Sequence, residues 1–243
     1  MKMKKTNIIL MIVFVEIFSS HLCYAGFLDS IKKIFSSSPQ SISDDNTIIS
    51  ALKEAISIGT NNAIKSVSLQ DGYLGNQAIK INIPENFKMI TDGLSKIGYK
   101  KQVDDFILSM NRAAEKAAPI AKSIFVDAIK EMTFDDAKNI LKSGDTAATD
   151  YFKIKTNEKL YDAFKPIVSS KVNEVGATRY YKDMTSKFAL LPFMKSETLD
   201  LDHHVTNKAL DGLFYMIGEE EKKIRADPKA RVTELLKKVF EKQ

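Results

Sequence analysis

The sequence predicts an all-α protein: a single compact domain of about nine helices, with at most one short strand or hairpin near residues 79–83. Three observations lead to this prediction. Apolar residues recur at three- and four-residue spacing through most of the chain, which is the period of a helix buried on one face. Capping residues, glycines and prolines interrupt that pattern at short intervals. Alternation of apolar and polar residues, which indicates a strand, is confined to Ile79–Ile83.

The first 25 residues have the composition of a cleavable export signal. Three lysines precede an apolar run at residues 8–18, and the small residue Ala25 precedes Gly26. This order predicts cleavage between Ala25 and Gly26. The apolar run is shorter than the roughly 20 residues that a membrane-spanning helix needs. We therefore expect an exported, periplasmic protein, either soluble or loosely associated with a membrane.

The only cysteine, Cys23, lies inside this segment. After cleavage the protein would have no disulfide, no thiol nucleophile and no thiolate ligand for a metal. The net charge of +5 is too small to indicate a nucleic-acid partner. We expect no nucleic acid, no metal and no cofactor.

Residues 26–41 are predicted to form a short amphipathic segment followed by a polar linker, SSSPQS. The apolar face of the segment consists of Phe27, Leu28, Ile31, Ile34 and Phe35. This face would pack on the parent domain or make a weak contact with a membrane.

Residues 42–243 are predicted to form the helical domain. Its first three helices run from Ser43 to about Leu69, from Pro84 to Ile97 and from Lys100 to Ala118. Ser43 is a suitable N-cap, Pro84 suits a first helical position, and Gly98 suits the position after a helix end. The intervening loop, DGYLGNQ, contains two glycines.

The middle of the domain is predicted as four short helices: 120–132, 133–143, 145–152 and 156–175. Pro119 separates the first of these from the preceding helix. Thr133 with Asp136 resembles a capping box. Thr156, followed by Asn157 and Glu158, has the composition of another helix start.

Three more helices complete the domain, at 177–188, at 200–225 and after Asp227. In the second, residues 219–223 are expected to form a solvated face, and Lys208 with Asp211 a surface or interhelix ion pair. Gly212 and Gly218 lower its intrinsic stability, which indicates close approach of another helix or of a ligand. Asp227 and Pro228 would be the N-cap and first residue of the last helix.

Several long stretches resemble the bacterial exported family called domain of unknown function 4197. They are DGYLGNQAIKINIPENF (71–87), SMNRAAEKAAPIAKSIFVDAIKEMTFDDAKNIL (109–141), GDTAATDYF (144–152) and VTNKALDGLFYMIGEEEKKIRADPKARVTELLKKVF (205–240). The resemblance extends over roughly residues 45–240. It implies an exported helical domain without an established activity, and it brings no catalytic residues.

Motifs of well-known enzymes are missing from the sequence. There is no Gly-x-Ser-x-Gly of a serine hydrolase and no glycine-rich phosphate loop. Asp200 and His204 are four residues apart and form the best metal-binding pair, but zinc sites need three or four ligands. Asp200 is equally suited to capping a helix.

The most informative polar set comprises Asn111, Arg112, Glu115, Asp127 and Lys130. Arg112 and Glu115 can pair on one helical face. If Pro119 folds the two helices together, Asp127 and Lys130 would join them. One interpretation is a pocket for a small anionic or zwitterionic ligand, with Arg112 as the anion contact. The other is a buried ion-pair network that fixes the helix register.

Three functions are compatible with these features. The first is a non-enzymatic protein of the cell envelope that binds a small ligand or another envelope protein between its helices. The second is a hydrolase or lyase that uses the carboxyl groups of Glu115 and Asp127, one of them with a raised pKa. The third is a peripheral membrane protein attached through residues 27–35.

Overall fold

The computed structural model describes residues 44–174, 177–188 and 200–227. The predicted export signal, the amphipathic segment at 26–41 and the last predicted helix lie outside these described residues. Within them, all regular structure is helical, which confirms the all-α class. None of the described helices is long and apolar enough to cross a membrane.

The described ranges contain eight α-helices. They are α1 (Asp44–Ser68), α2 (Glu85–Leu94), α3 (Lys100–Ala117), α4 (Ala121–Glu131), α5 (Phe134–Lys142), α6 (Ala147–Glu174), α7 (Ala177–Phe188) and α8 (Leu201–Ala226). Within these ranges the sequence predicted nine helices, one too many, because one helix was divided in two. All other predicted helices in these ranges are present, with ends shifted by a few residues.

The divided helix is α6, which continues through Thr156 instead of starting there. The Thr156 side chain is buried, and its hydroxyl donates to the carbonyl of Phe152 at 2.7 Å. A threonine hydroxyl satisfied by its own helix in this way has no role as a cap. Pro166 also lies inside α6, where its ring removes one backbone donor without ending the helix.

Two predicted helix boundaries are confirmed. The Thr133 hydroxyl accepts the N–H of Asp136, and the Asp136 carboxylate accepts the N–H of Thr133, so a capping box begins α5. Hydrogen bonds from the Thr133 hydroxyl and N–H lower the pKa of Asp136. Pro119 lies in a 3₁₀ turn, Ala118–Ile120, that separates α3 from α4.

The predicted boundary between α2 and α3 is confirmed at Gly98. Residues Ser95–Tyr99 contain a kink in which Ile97 and Gly98 leave the helical conformation and Gly98 has a φ of 96°. Glycine adopts this conformation without steric cost, as expected after a helix end. Ile97, three residues after the buried Leu94, would continue the apolar face of α2 but is 69% exposed, and its backbone has left the helical conformation.

The core is centred on α6, which packs against α3, α4 and α8. Phe125 of α4 packs edge-to-face on Phe152 of α6 and Phe214 of α8, with ring centroids 5.5 and 6.0 Å apart. Such aromatic pairs contribute beyond their buried area, about 0.5–1.5 kcal/mol each. Alanines at 113, 114 and 117 are fully buried in α3, and their small size permits neighbouring chain segments to approach closely.

The segment near residues 79–83 forms no strand, and the N–H groups of Ile79 and Lys80 both donate to the Asn76 carbonyl in a turn. Ile79 and Ile81 are buried, as the alternation predicts. No second strand lies beside it among the described residues. The backbone of Ile81 is paired with a side chain instead, and that side chain belongs to the predicted site.

Candidate functional site

Asn111 supplies the partner for Ile81. Its side chain is fully buried; Oδ1 accepts the Ile81 N–H at 2.9 Å, and Nδ2 donates to the Ile81 carbonyl at 2.8 Å. A carboxamide has the same donor and acceptor as a peptide group, so Asn111 replaces a neighbouring strand. Nδ2 also donates to the Ile107 carbonyl at 2.8 Å. The amide is therefore occupied by structural contacts.

Arg112, one residue further along α3, joins two carboxylates. Nη1 donates to Glu115 Oε2 at 2.6 Å, and Nη2 donates to Asp71 Oδ1 at 2.8 Å. Asp71 belongs to the loop after α1 and has a φ of 64°. Burial acts to lower the pKa of Arg112, but hydrogen bonds to the two carboxylates outweigh it and raise that pKa. The guanidinium thus connects α3 to the loop.

Glu115 is the buried centre of this network. Its side chain is only 4% exposed. Oε1 accepts the backbone N–H of Tyr73 at 3.2 Å and, at a longer 3.4 Å, that of Leu74. Both carboxylate oxygens are therefore occupied, one by the loop backbone and one by Arg112. Arg112 and Glu115 therefore form a closed ion-pair network, and Glu115 does not line an open ligand site.

Tyr73 fixes the same loop to α8. Its ring is fully buried, and its hydroxyl donates to the carbonyl of Ala209 at 2.7 Å. Burial, with a smaller effect from Glu115, raises the pKa of this hydroxyl far above its ordinary value. Gly212 makes room for the ring, because a Cβ there would lie 2.7 Å from Tyr73 Cε1. The close approach suggested by Gly212 is thus to a loop side chain.

Asp127 and Lys130 do not join the network. They lie on α4 and pair with each other at 3.0 Å, with side chains 64% and 49% exposed. The predicted set of five residues therefore separates into a buried group on α3 and a surface pair on α4. Glu115 is paired with Arg112 in the buried group, and Asp127 is paired with Lys130 at the surface, so the structure gives the hydrolase or lyase hypothesis no support.

A second buried carboxylate, Glu221, was not recognised from the sequence. Its oxygens accept the N–H groups of Ala148 and Thr149, both at 2.9 Å, and Arg225 donates to it at 2.9 Å. Glu221 therefore caps the N-terminus of α6 from a distant helix. The predicted solvated face at residues 219–223 is wrong at this position, where the side chain is 10% exposed.

The two histidines of α8 have separate roles. Asp200 caps α8 by accepting the His203 N–H at 2.9 Å, as the sequence indicated. The His203 ring contacts the Tyr161 hydroxyl at 2.8 Å, and His204 Nε2 contacts the carbonyl of Asn82 at 3.1 Å. Among the described residues, no three His, Cys, Asp or Glu side chains are grouped to hold a metal ion.

The contact between His204 and Asn82 lies at a groove of about 470 Å³. One wall is the segment between α1 and α2, and the other is one face of α8. The lining residues are Ala78, Ile79, Lys80, Asn82, Ile83, Pro84, Glu85, His204, Lys208, Asp211, Gly212 and Tyr215. This volume is within the range of small-molecule sites, about 300–1,000 Å³.

The groove combines apolar surface with a few charged groups. Ile83, Pro84 and the 46% exposed ring of Tyr215 provide apolar surface. Lys80 lies on the segment, and Lys208 lies on α8. Such a mixture is typical of sites where apolar contact gives affinity and polar groups fix orientation.

His204 lies in this groove as a neutral donor. Burial lowers its pKa most strongly, and the nearby charge of Lys208 adds to that effect, although the hydrogen bond to Asn82 opposes it. Because a carbonyl only accepts, Nε2 carries the proton. His204 therefore adds no positive charge to the groove at pH 7.

The sequence contains a pattern that indicates the α8 wall of the groove, but no pattern that indicates the opposite wall. His204, Lys208, Asp211 and Tyr215 recur at three- and four-residue spacing, which indicates one helical face. A polar stripe of this kind usually faces solvent. Only the fold shows that residues 78–85 lie beside it, because that packing depends on Tyr73 and Asn111.

The comparisons with known proteins identify a family and no activity. A family model described as "Protein of unknown function (DUF4197)" matches residues 42–241. No curated protein matches the chain at a significant level, and no solved structure does.

Proposed function

Since the chain belongs to the DUF4197 family of proteins of unknown function, we propose a function from its own geometry: it is a non-enzymatic binding protein of the cell envelope. It holds a small ligand in the groove between residues 78–85 and α8. The single observation that carries this proposal is the volume and mixed lining of that groove.

The contrast between the groove and the Arg112 network supports this location. In the network, every charged group has a partner within the fold, and Glu115 is sealed from solvent. In the groove, Tyr215 is 46% exposed, and lysines lie on both walls. A large aromatic surface next to exposed cations is suited to binding, since the aromatic surface gains from removing water and the cations can pair with an anionic group.

The absence of a catalytic arrangement in the described residues favours binding over catalysis. The imidazole of His204 is half-buried in the groove, and its ring donates to the Asn82 carbonyl. Its carboxylates are both paired with lysines: Glu85 with Lys88 at 3.5 Å, and Asp211 with Lys208 at 3.4 Å. General acid–base catalysis needs a carboxyl group with a raised pKa or a basic imidazole directed at the ligand.

A pair of tryptophan substitutions tests the location of the site. Ala78 lines the groove, whereas its exposed neighbour Gln77 does not. A mixed library of small fragments is screened by NMR against the native protein, Ala78→Trp and Gln77→Trp. We expect fragments to shift the amide signals of 78–85 and 204–215 in the native protein and in Gln77→Trp, and not in Ala78→Trp. If no fragment shifts these signals in the native protein, that result contradicts the proposal.

Export is a separate part of the proposal, supported by the basic start, the short apolar run and the Ala25–Gly26 pair. The intact mass of the protein purified from cells that produce it tests this part. We expect the mature chain to begin at Gly26, in the fraction released from the periplasm. A full-length mass and recovery only with the cytoplasm would contradict export.

A further inference from the structure

One of the lysines that line the groove has no carboxylate partner in the described part of the chain. Two are lysines, Lys80 and Lys208, and two are carboxylates, Glu85 and Asp211. Glu85 is paired with Lys88, which lies outside the groove lining, at 3.5 Å. Asp211 is paired with Lys208 at 3.4 Å. The charge of Lys80 is therefore the surplus, because it forms no ion pair with any of the described residues.

The carboxylates are poor binding partners for a cationic ligand. An incoming ammonium group would have to compete with the lysine that each carboxylate already contacts. By contrast, the ammonium of Lys208 has three N–H donors and directs one toward Asp211 at the long distance of 3.4 Å. Both lysines can therefore donate to an incoming anion without breaking a strong pair.

The rest of the lining favours an apolar body on that anion. Ile83 and Pro84 lie on one wall, and the Tyr215 ring is on the other. His204 contributes a neutral ring, whose Nε2–H is used by Asn82. A fully hydrated inorganic ion would leave this apolar surface uncovered, and a ligand with hydrocarbon would gain about 25 cal/mol for each Å² removed from water.

From these observations we infer that the groove selects a small organic monoanion: a carboxylate on an apolar or aromatic body. Lys80 and Lys208 hold the carboxylate, and Tyr215 with Ile83 contacts the body. This inference rests on the proposed function, since it assigns a ligand class to the same groove.

Three compounds of nearly equal shape separate charge from apolar contact. Phenylacetate is anionic, phenylacetamide is neutral and phenethylamine is cationic at pH 7. Their dissociation constants are measured by NMR titration of the native protein, from the signals of residues 78–85 and 204–215. We expect phenylacetate to bind up to about fivefold more tightly than phenylacetamide, the upper range for an exposed ion pair. Phenethylamine is expected to bind most weakly.

Measurements at high salt and on substituted proteins test whether the charges of Lys80 and Lys208 cause the preference for phenylacetate. Raising the ionic strength from about 0.1 M to about 1 M shortens the screening length from about 10 Å to about 3 Å. It should weaken phenylacetate binding and leave phenylacetamide unchanged. Lys80→Gln should remove most of the preference, and Lys208→Gln part of it. The control is Lys222→Gln, because Lys222 forms a similar i,i+3 pair on α8, with Glu219, outside the groove.

The outcomes separate this inference from the proposed function. Equal binding of the three compounds at the groove, or tighter binding of phenethylamine, would overturn the ligand class and leave the groove as a binding site. A preference that survives in Lys80→Gln and Lys208→Gln would overturn the assigned contacts. If no compound and no library fragment shifted the groove signals, the proposed function itself would fail.

Discussion

Two buried glutamates in this protein satisfy backbone donors that secondary structure leaves unpaired. Glu115 accepts from the loop at Tyr73 and Leu74, and Glu221 accepts from the first turn of α6. An arginine on the same helix contacts each one, Arg112 three residues before Glu115 and Arg225 four residues after Glu221. Burying a lone carboxylate is costly, and the arginine with the backbone donors offsets that cost.

Glu115→Gln tests whether the network is structural. The substitution keeps the shape but removes the charge, which leaves Arg112 with only the exposed Asp71. We expect the free energy of unfolding to fall by about 2–4 kcal/mol. The control Asp127→Asn breaks a surface pair and should change it by less than about 0.5 kcal/mol. Urea unfolding measures both, and equal effects would contradict the structural role.

His204 gives stability a pH dependence with a defined sign. Burial lowers its pKa in the folded state below the ordinary 6.5. The unfolded state therefore binds the proton more readily, and protonation favours unfolding. The contribution of His204 is fully present above pH 6.5 and is lost as the pH falls through the folded-state pKa.

Unfolding free energies measured between about pH 7.5 and pH 5 should fall toward the acid side in the native protein. His204→Gln should flatten this slope, since it removes the titrating ring. A native slope of opposite sign, or one unaffected by His204→Gln, would contradict the assignment.

At the scale of elements, local periodicity predicted the helices well where the cap lies next to the helix. The capping box at Thr133 and the turn at Pro119 are of this kind. Local periodicity failed to predict a helix start where the capping residue is distant from the helix in sequence. Thr156 has the residue type of a cap but bonds within α6, and α6 is capped by Glu221, more than 70 residues away.

The two glycines of α8 have opposite predicted responses to alanine. A Cβ at Gly212 would lie 2.7 Å from the Tyr73 ring and 3.0 Å from Ile79, whereas one at Gly218 would meet Thr146 at an ordinary 3.5 Å. Gly218→Ala should stabilise the protein by up to about 1 kcal/mol through helix propensity. Gly212→Ala should destabilise it by about 1–3 kcal/mol through overpacking. Thermal and urea unfolding distinguish these outcomes, and stabilisation by both would show that Tyr73 does not pack there.

Hydrogen exchange tests the pairing of Ile81 with Asn111. In the native protein we expect the Ile81 amide to exchange slowly, because Asn111 Oδ1 accepts its hydrogen at 2.9 Å. Asn111→Leu should remove that protection. The amide of Tyr73, held by Glu115, serves as the control within the same spectrum. Unchanged exchange of Ile81 would contradict the pairing.

At the scale of the whole molecule, the sequence predicted the helical class and the individual residues that matter, but not the groove. Asn111, Arg112 and Glu115 were recognised as an unusual polar set, and their function in the fold is to hold the loop. The groove needs residues 78–85 beside α8, more than 100 positions later. No local pattern encodes that neighbourhood, which follows from Tyr73 packing on Gly212.

The most direct test of the account is a crystal structure of the protein with phenylacetate, at a concentration that saturates the NMR titration. The account predicts the carboxylate between Lys80 and Lys208, the ring against Tyr215, and an unchanged Arg112–Glu115 pair. Phenylacetate bound at Arg112 instead, or a groove left empty under these conditions, would contradict it.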